Sequence, residues 1–287
     1  MGRGIIWLAS YPKSGNTWLR VFLTNYLRNG AEPADINELD SRLIASARLA
    51  FDEAAGVEAS DLTAEEIDRY RPAVYAQMAT QNAELLYLKV HDAYTCNISG
   101  EPIFPRCATH GVIYLIRNPL DVAVSFAHHS GVSTEEILSR LCREDYCFAG
   151  RPERLHDQLR QKLLSWSGHV RSWVDESGLR IHVTRYEDMV CDPVPAFTAI
   201  VRFAGLDYEP ARLTKALDFS SFGRLQAKER ETSFRERSPH SKAFFRKGKV
   251  GDWRDVLTEE QADLLIEAHK DVMLRFGYLT PEGKPVY

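Results

Sequence analysis

Short runs of β-branched and aromatic residues recur along this chain, at Ile5 to Ala9, Leu85 to Val90, Val112 to Ile116 and Arg180 to Thr184, with longer stretches of helical spacing between them. Short apolar runs that alternate with helices predict strands of a parallel sheet covered on both faces. The spacing of Leu19, Phe22, Leu23, Tyr26 and Leu27 predicts a first helix over Thr17 to Arg28. Thr63 with Glu66 and Ser133 with Glu136 have capping-box spacing. An amphipathic stretch covers Arg154 to Asp175, a helix follows Pro193, and a last one opens at Thr258 and carries Leu264, Leu265, Ala268 and Val272 toward Phe276.

No Gly/Ser linker, low-complexity tract or repeat divides the chain. The pattern therefore predicts one α/β domain over residues 1–287, with helical cap insertions over about 31–83 and 131–160, the least strand-like segments. At 44% hydrophobic and 26% charged residues, a chain of this length buries a sizeable core without staples. The net charge of -4 argues against a nucleic-acid coat or a basic membrane-surface protein, although local patches can still be basic. The five cysteines are an odd number without a CxxC pair or zinc-like spacing, which reads as reduced thiols. The first apolar run is interrupted at Ser10, and no stretch approaches the ~20 apolar residues of a membrane helix. The expectation is a cytoplasmic protein without nucleic-acid or membrane partners and without a metal.

In open parallel sheets, ligands bind beyond the carboxyl ends of the strands. The first predicted strand runs into Ser10-Tyr11-Pro12-Lys13-Ser14-Gly15-Asn16-Thr17-Trp18, the second into Lys89-Val90-His91-Asp92, the third into Arg117-Asn118-Pro119-Leu120-Asp121 and the fourth into Arg185-Tyr186-Glu187-Asp188. The first loop suits a phosphate. Gly15 permits close backbone approach, Asn16 and Thr17 offer side-chain partners, and the helix start presents unpaired amides to an anion. An ordinary strand-to-helix turn with a solvated Lys13 is the alternative. A Walker A loop is not present, because Lys13 precedes Gly15 and no glycine lies upstream within the loop.

Tyr11-Pro12-Lys13-Ser14-Gly15-Asn16-Thr17-Trp18 resembles the 5′-phosphosulfate loop of the cytosolic sulfotransferases, and Arg117-Asn118-Pro119-Leu120-Asp121-Val122-Ala123-Val124-Ser125 resembles their 3′-phosphate motif. Arg246-Lys247-Gly248 followed by Gly251-Asp252-Trp253 resembles their carboxyl-terminal signature. The three occur in family order across nearly the whole chain. The resemblance implies a P-loop-like three-layer α/β domain with a central parallel sheet. It also implies transfer of a sulfuryl group from 3′-phosphoadenosine 5′-phosphosulfate (PAPS) to a small-molecule hydroxyl, leaving 3′,5′-ADP (PAP).

The resemblance also assigns roles. Lys13 reaches the leaving oxygen, with Ser14, Gly15, Asn16 and Thr17 around the 5′ side. Lys89 supports the transferring group, and His91 is the general base, a task its ordinary pKa near 6.5 suits. Arg117 and Ser125 hold the 3′-phosphate. Arg246, Lys247 and Gly248 close over it, within a basic segment at about 224–250 that carries nine Lys or Arg against three Glu from Arg224 to Lys249 and is expected to act as a lid. Trp18 and Phe222 flank the adenine and Tyr186 bonds to it, although Trp18 also fits a core position. Asp92 either orients the His91 ring or serves a turn. Asp121 is expected to cap and pack the helix after Arg117. Tyr75, Phe104, Tyr146 and Phe244 are among the aromatics that could line an acceptor pocket.

Two features depart from the family pattern: Asn16 stands where threonine is usual, and Glu259 interrupts a dimerisation motif that Arg254, Thr258 and Asp263 fit only loosely. Two other functions stay open at this point. An ATP- and magnesium-dependent nucleotide kinase would show no preference for a 3′-phosphate, and a nucleotide-binding module without turnover would bind 3′,5′-ADP and transfer nothing.

Overall fold

Every residue of β1 (Ile5–Ser10) is buried, as expected of a strand covered on both faces. In chain order there follow α1 (Asn16–Arg28), α2 (Arg48–Ala55), α3 (Ala64–Gln81), β2 (Leu86–Val90), β3 (Thr109–Ile116), α4 (Pro119–Ser130), α5 (Thr134–Cys142), β4 (Cys147–Phe148), β5 (Gln161–Lys162), α6 (Trp166–Arg171), β6 (Ile181–Arg185), α7 (Tyr186–Cys191), α8 (Pro193–Phe203), α9 (Pro210–Phe219), α10 (Phe222–Thr232) and α11 (Glu259–Arg275). The computed structural model describes residues 3–40, 44–150 and 154–287, so the parts of the expected caps at 41–43 and 151–153 lie outside the described residues. The central sheet has the order β2-β1-β3-β6, with β1 and β2 parallel and Ala9 opposite Val90. This is the expected α/β class with a central parallel sheet.

Chain contacts divide the molecule into two compact units. The first comprises Met1–Tyr11, Ser41–Tyr114 and Glu144–Val183. Its core forms around Trp7 of β1, whose ring meets Tyr75 at 5.2 Å and Phe104 at 5.1 Å edge-on, while Tyr75 and Phe104 stack on each other. Both are fully buried core residues, so neither lines a pocket. The Trp7 indole N–H donates to Thr109 Oγ1 and the Tyr75 hydroxyl donates to the Ala45 carbonyl, so the polar atoms of these rings are satisfied. α3 opens with the complete capping box, Thr63 Oγ1 accepting from Glu66 N–H and Glu66 returning to Thr63 N–H.

The stretch 154–175 is not the single helix its pattern predicts. Gln161–Lys162 pairs as β5 with β4, and Leu164 takes a left-handed φ of 61°, which an α-helix cannot contain. The helix begins only at Trp166, where Ser165 Oγ caps Gly168 N–H, and its last turn widens over Ser172–Glu176. β3 begins three residues before the predicted start, because Thr109, His110 and Gly111 interrupt the apolar run without ending the strand.

The second unit comprises Pro12–Asp40, Leu115–Arg143 and Thr184–Tyr287. Val21, Ile36, Leu39, Leu225, Phe234 and Phe245 form one of its cores, with Trp18, Phe222 and Phe244 packed against it. The basic segment is thus partly helical. α10 occupies its start, and Glu229 accepts the Phe244 and Phe245 amides, tying the following chain back to the helix. α11 carries a full capping box between Thr258 and Gln261. Among the described residues no helix is long and apolar enough to cross a membrane.

Candidate functional site

Gly15 shapes the first loop in the second unit. Its φ is +97°, and a Cβ there would lie 2.8 Å from the Tyr186 ring, so both backbone conformation and space demand glycine. α1 starts immediately after it with no side chain capping its first amides, and the buried Asn16 and Thr17 form that uncapped dipole end. Lys13 sits in the left-handed region at φ 69°, and its ammonium lies 4.2 Å from the centroid of Phe244. Ser14 Oγ and Trp18 Nε1 are buried without a partner among the described residues.

Arg117, just past β3, gathers the parts of this unit. Its guanidinium donates to the Lys13 carbonyl at 3.0 Å and to the Lys249 carbonyl at 3.4 Å, stacks 4.3 Å from the Tyr186 ring centroid, and stands 3.9 Å from the Asp121 carboxylate. Its Nε faces no acceptor among the described residues. Ser125 lies half-buried on α4, further along the helix that Asn118 caps through Leu120 N–H. Trp18 meets Tyr186 edge-on at 6.0 Å. Loop, β3 end, Tyr186 and carboxyl-terminal segment therefore converge, as the motifs imply.

The carboxyl-terminal signature is braced by two carboxylates. Lys247 donates to Asp252 at 2.5 Å and Arg246 pairs with its other oxygen. Burial disfavours the Asp252 charge, but these bonds from Lys247 and Arg246 outweigh it and hold the carboxyl below its ordinary range. Asp121 accepts from Gly251 N–H at 2.8 Å and Trp253 N–H at 3.1 Å. The expectation that Asp121 caps α4 is thus corrected: Asn118 is the cap, and the buried Asp121 carboxylate is turned to the signature turn, which it fastens. Gly248 has φ +60°, and a Cβ there would fall 2.6 Å from the Phe222 ring, so Phe222 lies directly on this segment. The loop's Gly15 ring partner, Tyr186, is followed by buried Glu187, which accepts from Asn118 N–H and Tyr278 OH.

In the first unit, Lys89 and His91 alternate to one face of the β2 end, and both are half-buried. His91 Nδ1 lies 2.9 Å from the Ser10 carbonyl oxygen. A carbonyl only accepts, so Nδ1 carries the proton and Nε2 is the basic nitrogen of the neutral ring. Asp92 does not orient that ring. Its carboxylate pairs with buried Arg71 at 2.8 Å, making it a counter-ion within the core. Behind His91, His169 Nε2 lies 3.1 Å from the His91 carbonyl and His169 Nδ1 lies 2.7 Å from Tyr114 OH. Sequence reasoning named neither His169 nor Asp252 as a working residue. Asp252 stood inside the quoted signature, whereas no local pattern marks His169.

The phosphate fit can be judged on these atoms. Buried donors on Ser14, Trp18 and Arg117 have no partner among the described residues, and the helix start after Gly15 has no side-chain cap. That donor set, rich in cations and poor in acceptors, fits an anion with an aromatic base.

The chain matches the sulfotransferase domain model over residues 4–277. It is 25% identical over 279 residues to cytosolic sulfotransferase 1 of Arabidopsis thaliana, covering 91% of this chain and 76% of that one. It is 31% identical over 180 residues to sulfotransferase 2A1 of Rattus norvegicus, covering 58% of this chain and 57% of the rat protein. A crystal structure of retinol dehydratase with androsterone and inactive cofactor PAP is similar in fold, with a TM-score of 0.62 at 20% identity over 97% of this chain and 83% of that one.

Proposed function

The chain belongs to the sulfotransferase domain family, and on that premise we propose that it works as a single domain that transfers a sulfuryl group from PAPS to the hydroxyl of a small molecule. The products are a sulfate ester and 3′,5′-ADP. Bound PAPS supplies the activated sulfuryl group, whose bond to a phosphate oxygen is exchanged for a bond to the acceptor oxygen.

The residues divide the work. His91 Nε2 takes the acceptor's hydroxyl proton, while Nδ1–H on the Ser10 carbonyl keeps the ring in that tautomer. Lys13 neutralises the charge that grows on the leaving oxygen, and Lys89 supports the group in transit. A cation ~4 Å from a unit charge is worth about 4 kcal/mol at an effective dielectric of ~20, before desolvation. Ser14, Gly15, Asn16 and Thr17 hold the 5′ end. Arg117 and Ser125 hold the 3′-phosphate, with Arg246, Lys247 and Gly248 closing on it. Trp18, Phe222 and Tyr186 hold the adenine. The mechanism needs no metal and no covalent enzyme intermediate.

The observation that carries the reading is Arg117, which joins the Lys13 carbonyl, the Lys249 carbonyl and the Tyr186 ring around one guanidinium. The androsterone and PAP of the structural neighbour support a small hydroxyl acceptor and the PAPS co-substrate. The acceptor class is a phenol, alcohol or natural product, and the protein acts in the cytoplasm.

Sulfur-labelled PAPS incubated with the chain and a panel of phenols, sterols and alcohols tests this. Labelled ester with equimolar 3′,5′-ADP is expected. Binding of 3′,5′-ADP without transfer to any acceptor marks a nucleotide-binding module instead, and magnesium-dependent ATP turnover marks a kinase.

A further inference from the structure

The segment after β2 is held at His91, Asp92 and Tyr94 by side chains of one stretch, residues 169–173, while the Ala93 N–H between them donates to the Lys162 carbonyl of β5. His169 Nε2 reaches the His91 carbonyl at 3.1 Å, the Trp173 indole N–H donates to the Asp92 carbonyl at 2.9 Å, and Tyr94 N–H donates to Ser172 Oγ at 3.0 Å. Backbone groups just past a strand have lost their ladder partners, and a buried one left unpaired is destabilising. Here side chains of α6 and of the widened turn behind it, Ser172–Glu176, replace the ladder.

His169 has no freedom of tautomer. The His91 carbonyl only accepts, so Nε2 carries the proton, and Nδ1 then accepts from Tyr114 OH at 2.7 Å. Both residues are fully buried, and Tyr11 meets the His169 ring edge-on at 5.5 Å. Rotation of the imidazole would break both bonds inside a packed core. Burial also pushes His169 down to about 4, which keeps the ring neutral at physiological pH.

We propose that His169 is the positioning residue for the base: by holding the His91 carbonyl it fixes the main chain from which the His91 ring reaches Ser10, and so keeps Nδ1 protonated and Nε2 basic. The catalytic meaning rests on the proposed role of His91. The geometric claim does not.

Nitrogen-edited NMR of the imidazoles in the full chain tests the geometry without an acceptor. In the unaltered protein, His169 is expected as the neutral Nε2–H tautomer, and neutral His91 as the Nδ1–H tautomer. His169→Asn places an amide one methylene short of the carbonyl, and neutral His91 should then become a mixture of tautomers. His169→Gln carries its amide to the Nε2 position and should restore Nδ1–H. A wild-type His169 protonated on Nδ1, or a folded His169→Asn chain whose His91 stays wholly Nδ1–H, overturns the proposal. The wild-type arm decides even if His169→Asn does not fold.

Turnover of PAPS with 2-naphthol supplies the catalytic arm. A misplacement of about 1 Å costs ~10²-fold, so kcat of His169→Asn should fall by up to that factor with 3′,5′-ADP affinity unchanged, and His169→Gln should recover most of it. If the wild-type chain transfers nothing to any acceptor while the tautomers behave as expected, the reaction falls and the positioning of the His91 ring stands.

Discussion

Around Arg117, donors outnumber the acceptors that meet them. Ser14 Oγ, Trp18 Nε1 and Arg117 Nε are buried with no partner among the described residues, and Arg246 and Lys247 share the single carboxylate of Asp252. Around His91 the chain supplies partners of its own: Ser10 for the ring, His169 for the carbonyl, Trp173 and Ser172 for the next residues. In the proposed function the first arrangement is charge that a ligand completes. The second is a geometry set in advance, as proton transfer needs, since a base works only at hydrogen-bond distance and in one tautomer.

Variants in the two regions should therefore fail differently. Lys13→Met removes a full charge at the leaving oxygen, and transfer should fall by roughly 10³-fold, the equivalent of about 4 kcal/mol. Single-turnover rates at saturating PAPS check this, and a loss below tenfold would place Lys13 outside the reaction. His91→Ala should lower transfer by at least ~10²-fold while calorimetric affinity for 3′,5′-ADP stays at the wild-type value. A parallel loss of affinity would mean that the two regions do not separate as described.

The smallest effect is on stability. His169 stays neutral in the fold down to about pH 4, whereas the unfolded imidazole titrates near 6.5. Between those values the unfolded chain binds the extra proton, so stability falls as pH drops from about 6.5 toward 4 and is unaffected by this group above that window. The slope is about 1.4 kcal/mol per pH unit. Urea unfolding across the window, wild type minus His169→Gln, isolates it, and a zero difference would show that His169 is already charged in the fold.

The region proposed to hold the phosphates was legible as a convergence of motifs because its demands are local. A glycine at positive φ, a lysine beside it and an arginine at a strand end leave marks at fixed spacings, and Gly15, Lys13 and Arg117 meet as the motifs imply. The strand cores were legible for the same reason, with ends shifted by a residue or a few where polar residues such as Thr109 continue the strand. What supports His91 was not legible. His169 is one of nine histidines, and only the folded chain brings it to the His91 carbonyl from 78 residues away. Aromatic identity misled at Tyr75 and Phe104, because a ring suited to a pocket is equally suited to stacking beneath Trp7. Leu164 broke the helical reading through its backbone angle, which its apolar side chain does not advertise.

The central claim is that the cations gathered at Arg117 recognise a phosphate at the 3′ position of the nucleotide. Calorimetry of 3′,5′-ADP against 5′-ADP in magnesium-free buffer tests it. The account predicts tighter binding of 3′,5′-ADP by about 10- to 100-fold, the ~1.5–3 kcal/mol of a charge-assisted hydrogen bond, and loss of that margin in Arg117→Ala. Equal affinities, or a margin that Arg117→Ala leaves intact, would contradict it.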